Sequence, residues 1–269
     1  MSKLFELEGR VALVTGALGQ LGGLWIDTLL DAGARVVALD QAGVGVGEQF
    51  SALVDRAKGR LTLIRADIRD RDQLDAALEQ CCTESGTPAI LVNNAGVDQP
   101  PNTDAPQFRV NEIPADVFRH VIDVNLVGTF QVCQVFGTAM ARAGRGTIIN
   151  IGSLYASVAP DMRLYEHLPF DPPFLKPPAY GASKAGVVNL TRYLASLWGP
   201  SGVRVNALSP GGVSGGQDPE FRRKFCDRVP LGRMAELDDL RGPLLFLASD
   251  ASAYVTGVNL NVDGGFVSW

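Results

Sequence analysis

Short apolar runs alternate with amphipathic stretches along the whole chain. The runs are VALVT (11–15), RVVAL (35–39), LTLIRAD (61–67), AILVNNAG (89–96), GTIINIGS (146–153), VRVNALSPGG (203–212) and VNLNVDGG (258–265). They are rich in Val, Ile and Leu and close on Gly, Asn, Asp or Ser, as strands buried on both faces and ended by turn residues do. Between them, LGGLWIDTLLDAG and the segments near 48–57, 70–82, 115–142, 180–198 and 236–249 carry apolar residues at helical spacing. This alternation predicts an α/β fold: a Rossmann-type doubly wound parallel sheet of about seven strands with helices on both faces. No Ser/Gly linker, charge block or solenoid repeat interrupts the 269 residues, so residues 1–269 are expected to form a single domain.

Composition narrows the partners. The chain is 46% hydrophobic, enough for a large core, and its net charge of −5 with pI near 5.1 leaves no basic footprint for nucleic acid. MSKLFELEGR lacks an apolar signal core, and no stretch approaches the roughly 18 uninterrupted apolar residues of a membrane span. The expectation is a soluble cytoplasmic protein with no membrane partner. Cys81, Cys82, Cys133 and Cys226 form no CxxC and are expected to be reduced packing residues. His120 and His167 have no neighbouring ligand pattern, so no metal site is expected and both are assigned surface or packing roles.

Two local patterns carry candidate chemistry. After the first strand come Gly16, Gly19 and Gly22 and then an apolar helix. Glycines permit a tight turn, and a helix N-terminus offers unpaired N–H groups to a pyrophosphate. The second strand runs into Asp40, 24 residues after Gly16, close to the spacing at which an acid meets the adenosine ribose. Farther on, Tyr180 and Lys184 lie one helical turn apart after a proline-rich segment. A tyrosine near its ordinary pKa of about 10 is a poor base at neutral pH, and a nearby lysine cation favours the phenolate. None of the other four tyrosines has a lysine four residues on.

TGALGQLG (15–22), Asp40, Asp67 in RADI, NNAG (93–96), Asn125 in DVNLVGTF, Ser153 in INIGS, YGASK (180–184), SPGG (209–212) and VTGVNLNVDGG occur in this order. Across essentially its whole length the chain resembles a short-chain dehydrogenase/reductase of the YxxxK type. The resemblance implies a catalytic set of Asn125, Ser153, Tyr180 and Lys184. Tyr180 would exchange the substrate proton, Ser153 would bond the substrate oxygen, Lys184 would acidify the tyrosine and hold the nicotinamide ribose, and Asn125 would hold a water linked to the lysine. Ser153 is equally suited to capping a turn, and Asn125 to a structural bond within its helix. The implied cofactor is NAD, bound by Gly16, Gly19, Gln20, Leu21, Gly22, Asp40, Asp67, Ile68, Asn94, Ala95, Gly96, Tyr180, Lys184, Pro210, Gly211 and Val213. The implied activity is hydride transfer between NAD and a secondary alcohol or carbonyl. A 3-ketoacyl-thioester reductase and a non-catalytic nucleotide-binding subunit are the alternatives. A homo-oligomer, tetramer or dimer, is implied too, with the helices 115–142 and 180–198 as a contact surface.

The chain departs from the family pattern at three places. Gln20 stands where glycine is usual, and Val213-Ser214-Gly215-Gly216 replaces the usual threonine, with Ser214 as a candidate substitute. Tyr180 comes 27 residues after Ser153, about twice the family's short spacing. The added segment, 154–179, is proline-rich and carries Tyr155, Arg163, Tyr165, Glu166, His167, Phe170, Asp171 and Lys176. Its ends are tied to two catalytic positions, so a substrate lid is expected, with a surface loop or subunit contact as the alternative. Its polar residues point to a hydroxyl-rich small-molecule substrate, a sugar, polyol or sugar acid. The polar stretch DQPPNTDAPQFRVNEIP after NNAG is expected to form the opposite rim.

Overall fold

The computed structural model describes residues 3–101 and 106–269, so 102–105 of the expected rim lie outside the described residues. Seven parallel strands form one sheet in the order β3-β2-β1-β4-β5-β6-β7. They are β1 Val11–Thr15, β2 Arg35–Asp40, β3 Leu61–Arg65, β4 Ile90–Asn93, β5 Gly146–Ile151, β6 Val203–Pro210 and β7 Asn259–Val262. After β3 the chain crosses back to place β4 beside β1. The strand order therefore reverses between β1 and β4, and ligands of such sheets bind outside the carboxyl ends at that point.

Each central strand feeds two cores. In β1, Ala12 and Val14 pack with Trp25, Leu29, Leu244 and Leu247 on one face, while Val11 and Leu13 join Leu74, Val132, Phe136 and Leu194 on the other. Helices Gln20–Asp31, Glu48–Ala57 and Arg241–Ala248 cover the first face, and Arg71–Glu84, the run 115–142 and Pro178–Trp198 cover the second. The continuous apolar runs of the sequence reflect burial on both sides. On the two helices expected to form a contact surface, Phe118, Val127, Phe130, Tyr193 and Leu197 are exposed.

Helix ends follow local chemistry. Asp70 caps Arg71–Glu84 by accepting from the Gln73 N–H, and Pro178 takes the first position of Pro178–Trp198, where its missing N–H costs no bond. The segment expected as a helix over 236–249 opens as the tight turn Leu237–Leu240 before Arg241–Ala248. The run 115–142 contains wider π-type turns at Asp123–Gly128 and Cys133–Gly137. The helix Pro219–Cys226 has no counterpart among the expected elements. Only Phe221 and Phe225 mark its apolar face, but Asp218 and Pro219 formed a readable start signal, since the Asp218 carboxylate accepts from the Glu220 and Phe221 N–H groups.

A third apolar cluster lies off the sheet, where the 154–179 segment packs through Leu154, Leu164, Tyr165 and Phe174 against Phe225, Val229, Met234 and Phe266. All four cysteines are free. Cys81 and Cys133 are buried, and burial pushes both thiols up to about 12, whereas Cys82 is exposed.

A buried polar chain ties the sheet to Pro178–Trp198. The Asn93 amide donates to Asn150 Oδ1 at 2.8 Å, the Asn150 amide donates to Thr191 Oγ1 at 2.9 Å, and the Thr191 hydroxyl donates to the Val187 carbonyl. Replacing Asn150 with Ala removes two of these bonds, leaving the Asn93 amide only its contact with Cys133 Sγ and Thr191 only its bond to the Val187 carbonyl. Asn150→Ala should destabilise the fold by about 2–4 kcal/mol, read from denaturant unfolding; an unchanged midpoint would show that the chain contributes nothing.

Candidate active site

Asn94 joins the ends of β1 and β4. Its amide donates to the carbonyls of Thr15 (3.1 Å) and Gly16 (3.0 Å), while Thr15 Oγ1 accepts from the N–H groups of Asn94 and Ala95, both at 3.1 Å. The remaining Asn94 oxygen accepts from the indole N–H of buried Trp25 at 2.8 Å. Gly16 has φ +60°, and a methyl group there would come within 2.7 Å of the Ala95 backbone. Gly22 lies under the turn, where a methyl would collide with the Gly16 carbonyl and the Ala17 backbone.

Above this latch opens a cleft of about 600 Å³. The helix Gln20–Asp31 points its N-terminus into it, with Gly19 as a cap that offers no side chain and no acid in the first turn. Its free N–H groups and partial positive charge could hold a pyrophosphate. At the far wall the Asp40 carboxylate accepts from the Leu18 and Gln41 N–H groups, each at 2.9 Å. The residues present thus fit an extended dinucleotide: a glycine turn, a bare helix start and a ribose-facing acid on one wall. Of the positions expected to bind the cofactor, Gly16, Gly19, Gln20, Leu21, Asp40, Asp67, Ile68, Asn94, Ala95, Gly96, Tyr180, Lys184, Pro210, Gly211 and Val213 all line this cleft. Gly22 does not; its position serves close packing of helix against turn.

Arg65, the register partner of Asp40 on β3, is the cation beside it and makes no ion pair among the described residues. Arg35 donates to the Gly59 carbonyl, Arg65 turns to the carbonyls of Gln41 and Val44, and Arg69 is bound to Asp67. The Arg69 hydrogen bond holds the Asp67 carboxyl below its usual range.

At the other end of the cleft lie Ser153, Tyr180 and Lys184. Ser153 Oγ accepts from the Tyr155 N–H, capping Leu154–Ala156, and its side chain reaches the Tyr180 hydroxyl. Lys184 is buried and donates to the Ile151 carbonyl at 2.8 Å, with Nζ 5.9 Å from the Tyr180 ring centre. Burial pushes its ammonium down to about 8, with the Asp98 charge opposing. Tyr180 is shifted the other way from expectation. Burial raises its pKa and Asp98 adds to the rise, while the Ser153 hydrogen bond opposes it. Desolvation therefore sets the direction of the shift.

Asn125 does not line the cleft. It is fully buried one layer below, its oxygen accepting from the Val97 N–H (2.7 Å) and its amide donating to the Val97 carbonyl and Ser183 Oγ. Gly96 lies between it and the lysine: a methyl at Gly96 would be 3.2 Å from Asn125 Oδ1 and 3.6 Å from Lys184 Nζ. Ser214 is also remote, accepting from Arg222 and facing a surface groove with Asp27 and Arg56. His120, assigned a surface or packing role, is exposed and lines the cleft.

A second cavity of about 780 Å³ opens against the first, and Asp98, Ser153, Tyr180 and Gly211 line both. Residues of 154–179 form much of its wall, through Tyr155, Tyr165, Leu168, Phe170 and Lys176. Arg163, Glu166, His167 and Asp171, on which the hydroxyl-rich substrate was expected to depend, do not line it. Arg163 turns to Asp161, and His167 bonds Asp218 behind the wall. The polar residues lining this cavity instead include Ser153, Tyr180, Gln217, Asp218 and the pair Asp98 and Lys176, which sequence spacing had no means to join.

The family model for short chain dehydrogenases matches residues 10–166, and that described as enoyl-(acyl carrier protein) reductase matches 172–267. The chain belongs to the short-chain dehydrogenase/reductase family of oxidoreductases. It is similar to the D-threitol dehydrogenase of Mycolicibacterium smegmatis (35% identical, covering 97% of this chain and 94% of that protein). Another relative is the galactitol 2-dehydrogenase (L-tagatose-forming) of Cereibacter sphaeroides, at 34% identity over 99% of this chain and 98% of that one. A solved gluconate 5-dehydrogenase from Burkholderia cenocepacia, in complex with NADP and tartrate, superposes with a TM-score of 0.82 at 32% identity, covering 99% of this chain and 98% of that one. No described helix is long and apolar enough to cross a membrane, and no described cluster of His, Cys, Asp or Glu could hold a metal ion.

Proposed function

We propose that this protein is an NAD-dependent dehydrogenase of a secondary alcohol in a small hydroxylated molecule, and that 154–179 walls its substrate site. The observation that carries the reading is the seam between the two cavities, where Tyr180 and Ser153 face both spaces and Lys184 lies just behind. The polyols named for two relatives fall in the same chemical class.

NAD, when bound, supplies the hydride acceptor. The chain manages the proton and the geometry. Tyr180, as phenolate, takes the proton of the substrate hydroxyl, and the hydroxyl of Ser153, already paired with Tyr180, orients the substrate oxygen. Lys184 favours the phenolate by charge. Asn125 acts from below by fixing Val97, so that Gly96 and Asp98 keep their positions beside the lysine and the second cavity.

Tyr180→Phe should lower oxidation by at least about 100-fold while dinucleotide affinity, followed by fluorescence titration, stays within about twofold. Turnover near wild type would remove Tyr180 from the mechanism. The pH dependence has a definite sign. The active combination is phenolate with ammonium; with the tyrosine raised and the lysine at about 8, it grows about tenfold per pH unit below about pH 8. Above that it levels off, because the lysine loses its proton as fast as phenolate is gained. kcat/KM for oxidation should trace this rise and bend, and a profile falling with pH would contradict it.

Asp40 should favour NAD over NADP. An added 2′-phosphate would face the Asp40 carboxylate, while the Arg65 guanidinium beside it is turned to the carbonyls of Gln41 and Val44; two unit charges about 4 Å apart repel by roughly 4 kcal/mol at an effective dielectric of 20 before screening. Equal or higher kcat/KM with NADP in a steady-state comparison would refute the assignment. A panel of polyols, sugars, hydroxy acids and 3-ketoacyl thioesters separates the substrate readings: preference for the thioesters would replace this one, and no turnover at all would leave a nucleotide-binding subunit.

A further inference from the structure

The second cavity contains an ion pair whose acid acts by charge on Tyr180 and Lys184 without itself exchanging the substrate proton. Lys176, in the 154–179 segment, is buried, and its Nζ contacts both oxygens of Asp98 at 2.6 and 2.5 Å. The same ammonium stands 5.1 Å from the centre of the Tyr180 ring. Asp98 follows Val97, whose backbone Asn125 grips, and it accepts from the Gln99 N–H at 2.8 Å. Its side chain remains 39% exposed, toward the space shared by the two cavities. A carboxylate has about four acceptor sites, so oxygen lone pairs remain free beside the reacting position.

The charges around the cavity decide what those lone pairs can receive. Among the described residues lining it, the charged side chains are Asp98, Lys176 and Asp218. Lys176 is neutralised by Asp98, and Asp218 is held by His167 and by the start of Pro219–Cys226. No lining cation is free. A substrate carboxylate would have to displace Asp98 from Lys176 or face two carboxylates, whereas an uncharged hydroxyl donates directly to Asp98. The apolar walls, Tyr155, Tyr165, Phe170 and Phe225 among them, offer a carbon skeleton its contacts without adding charge.

We propose that Asp98, braced by Lys176, accepts a hydroxyl of the substrate beside the reacting carbinol and makes the site selective for uncharged polyhydroxy alcohols over hydroxy acids. This inference rests on the NAD-dependent alcohol oxidation argued above. Asp98 is the binding group, and Lys176 is a positioning residue that fixes its rotamer and compensates its charge.

The test compares tetritols to hexitols with aldonates of equal chain length as substrates for NAD reduction. Wild type should favour the polyols by at least about tenfold in kcat/KM. Asp98→Asn keeps the shape and removes the charge. It should lower kcat/KM for polyols by about 10- to 100-fold, mostly through KM, and shrink or reverse the preference as Lys176 becomes free for an anion. NAD affinity should stay within about twofold of wild type. Lys176→Met should raise KM for polyols, and Lys176→Arg should restore much of the loss, which a packing role alone would not produce. A wild-type preference for aldonates, or equal losses on both substrate sets in Asp98→Asn, would overturn the inference while leaving the dehydrogenase reading intact. No NAD reduction with either set would overturn that reading and this inference together.

Discussion

Asn94 latches the carboxyl ends of β1 and β4 across the point where the strand order reverses. One side chain receives the Trp25 indole and grips the Thr15 and Gly16 carbonyls, while Thr15 holds the following backbone in return. These bonds fix the glycine turn against NNAG at a separation that Cβ atoms would not allow. The next residues inherit that placement: Gly96 fits between Asn125 and Lys184, Val97 is held by Asn125, and Asp98 is carried to the seam of the two cavities. Loosening the latch would blur the walls of both cavities at once, because both hang from the same short stretch of backbone.

Desolvation governs the electrostatics around Tyr180 and Lys184. Lys184 is buried with a single carbonyl partner, and Tyr180 lies among Asp98, Ser153 and the wall of the second cavity. Burial disfavours the charged form of each group, so it lowers the lysine and raises the tyrosine. The two ordinary values nearly coincide, so these opposite shifts move the proton affinities of the pair apart and make phenolate with ammonium the minor form at neutral pH. Asp98 acts on both in the same direction, raising tyrosine and lysine alike. Its pairing with Lys176 limits how much unbalanced negative charge the site carries.

The 154–179 segment builds a small core of its own. Tyr165 packs against Phe174 and Phe221 with ring centres 4.9 and 5.2 Å apart, and Phe225 stacks on Phe266 from the chain end. The Asp161–Arg228 ion pair and the hydrogen bond between His167 and Asp218 join the same pieces. The wall facing the second cavity is thus anchored from behind by aromatic packing, and its charged residues mostly face outward, where hydration is retained.

Much of this molecule was legible in one dimension because its information is local. Buried parallel strands are continuous apolar runs, the glycine turn and Asp40 sit at short fixed distances from their strands, and Tyr180 and Lys184 share one helical turn; the parallel sheet and most of the cleft lining follow with little freedom left. Gly22 and Asn125 were found as positions, but their places under the turn and beneath the cleft depend on which backbone they touch. Ser214 looked suitable by sequence and points elsewhere because the Gly212–Ala235 pairing turns the strand end away. The Tyr180 shift, the outward Arg163 and Glu166, and the Lys176–Asp98 pair, 78 residues apart in the chain, were decided only in three dimensions. Burial and long-range charge pairing depend on what the whole fold brings near, and no spacing along the chain encodes that.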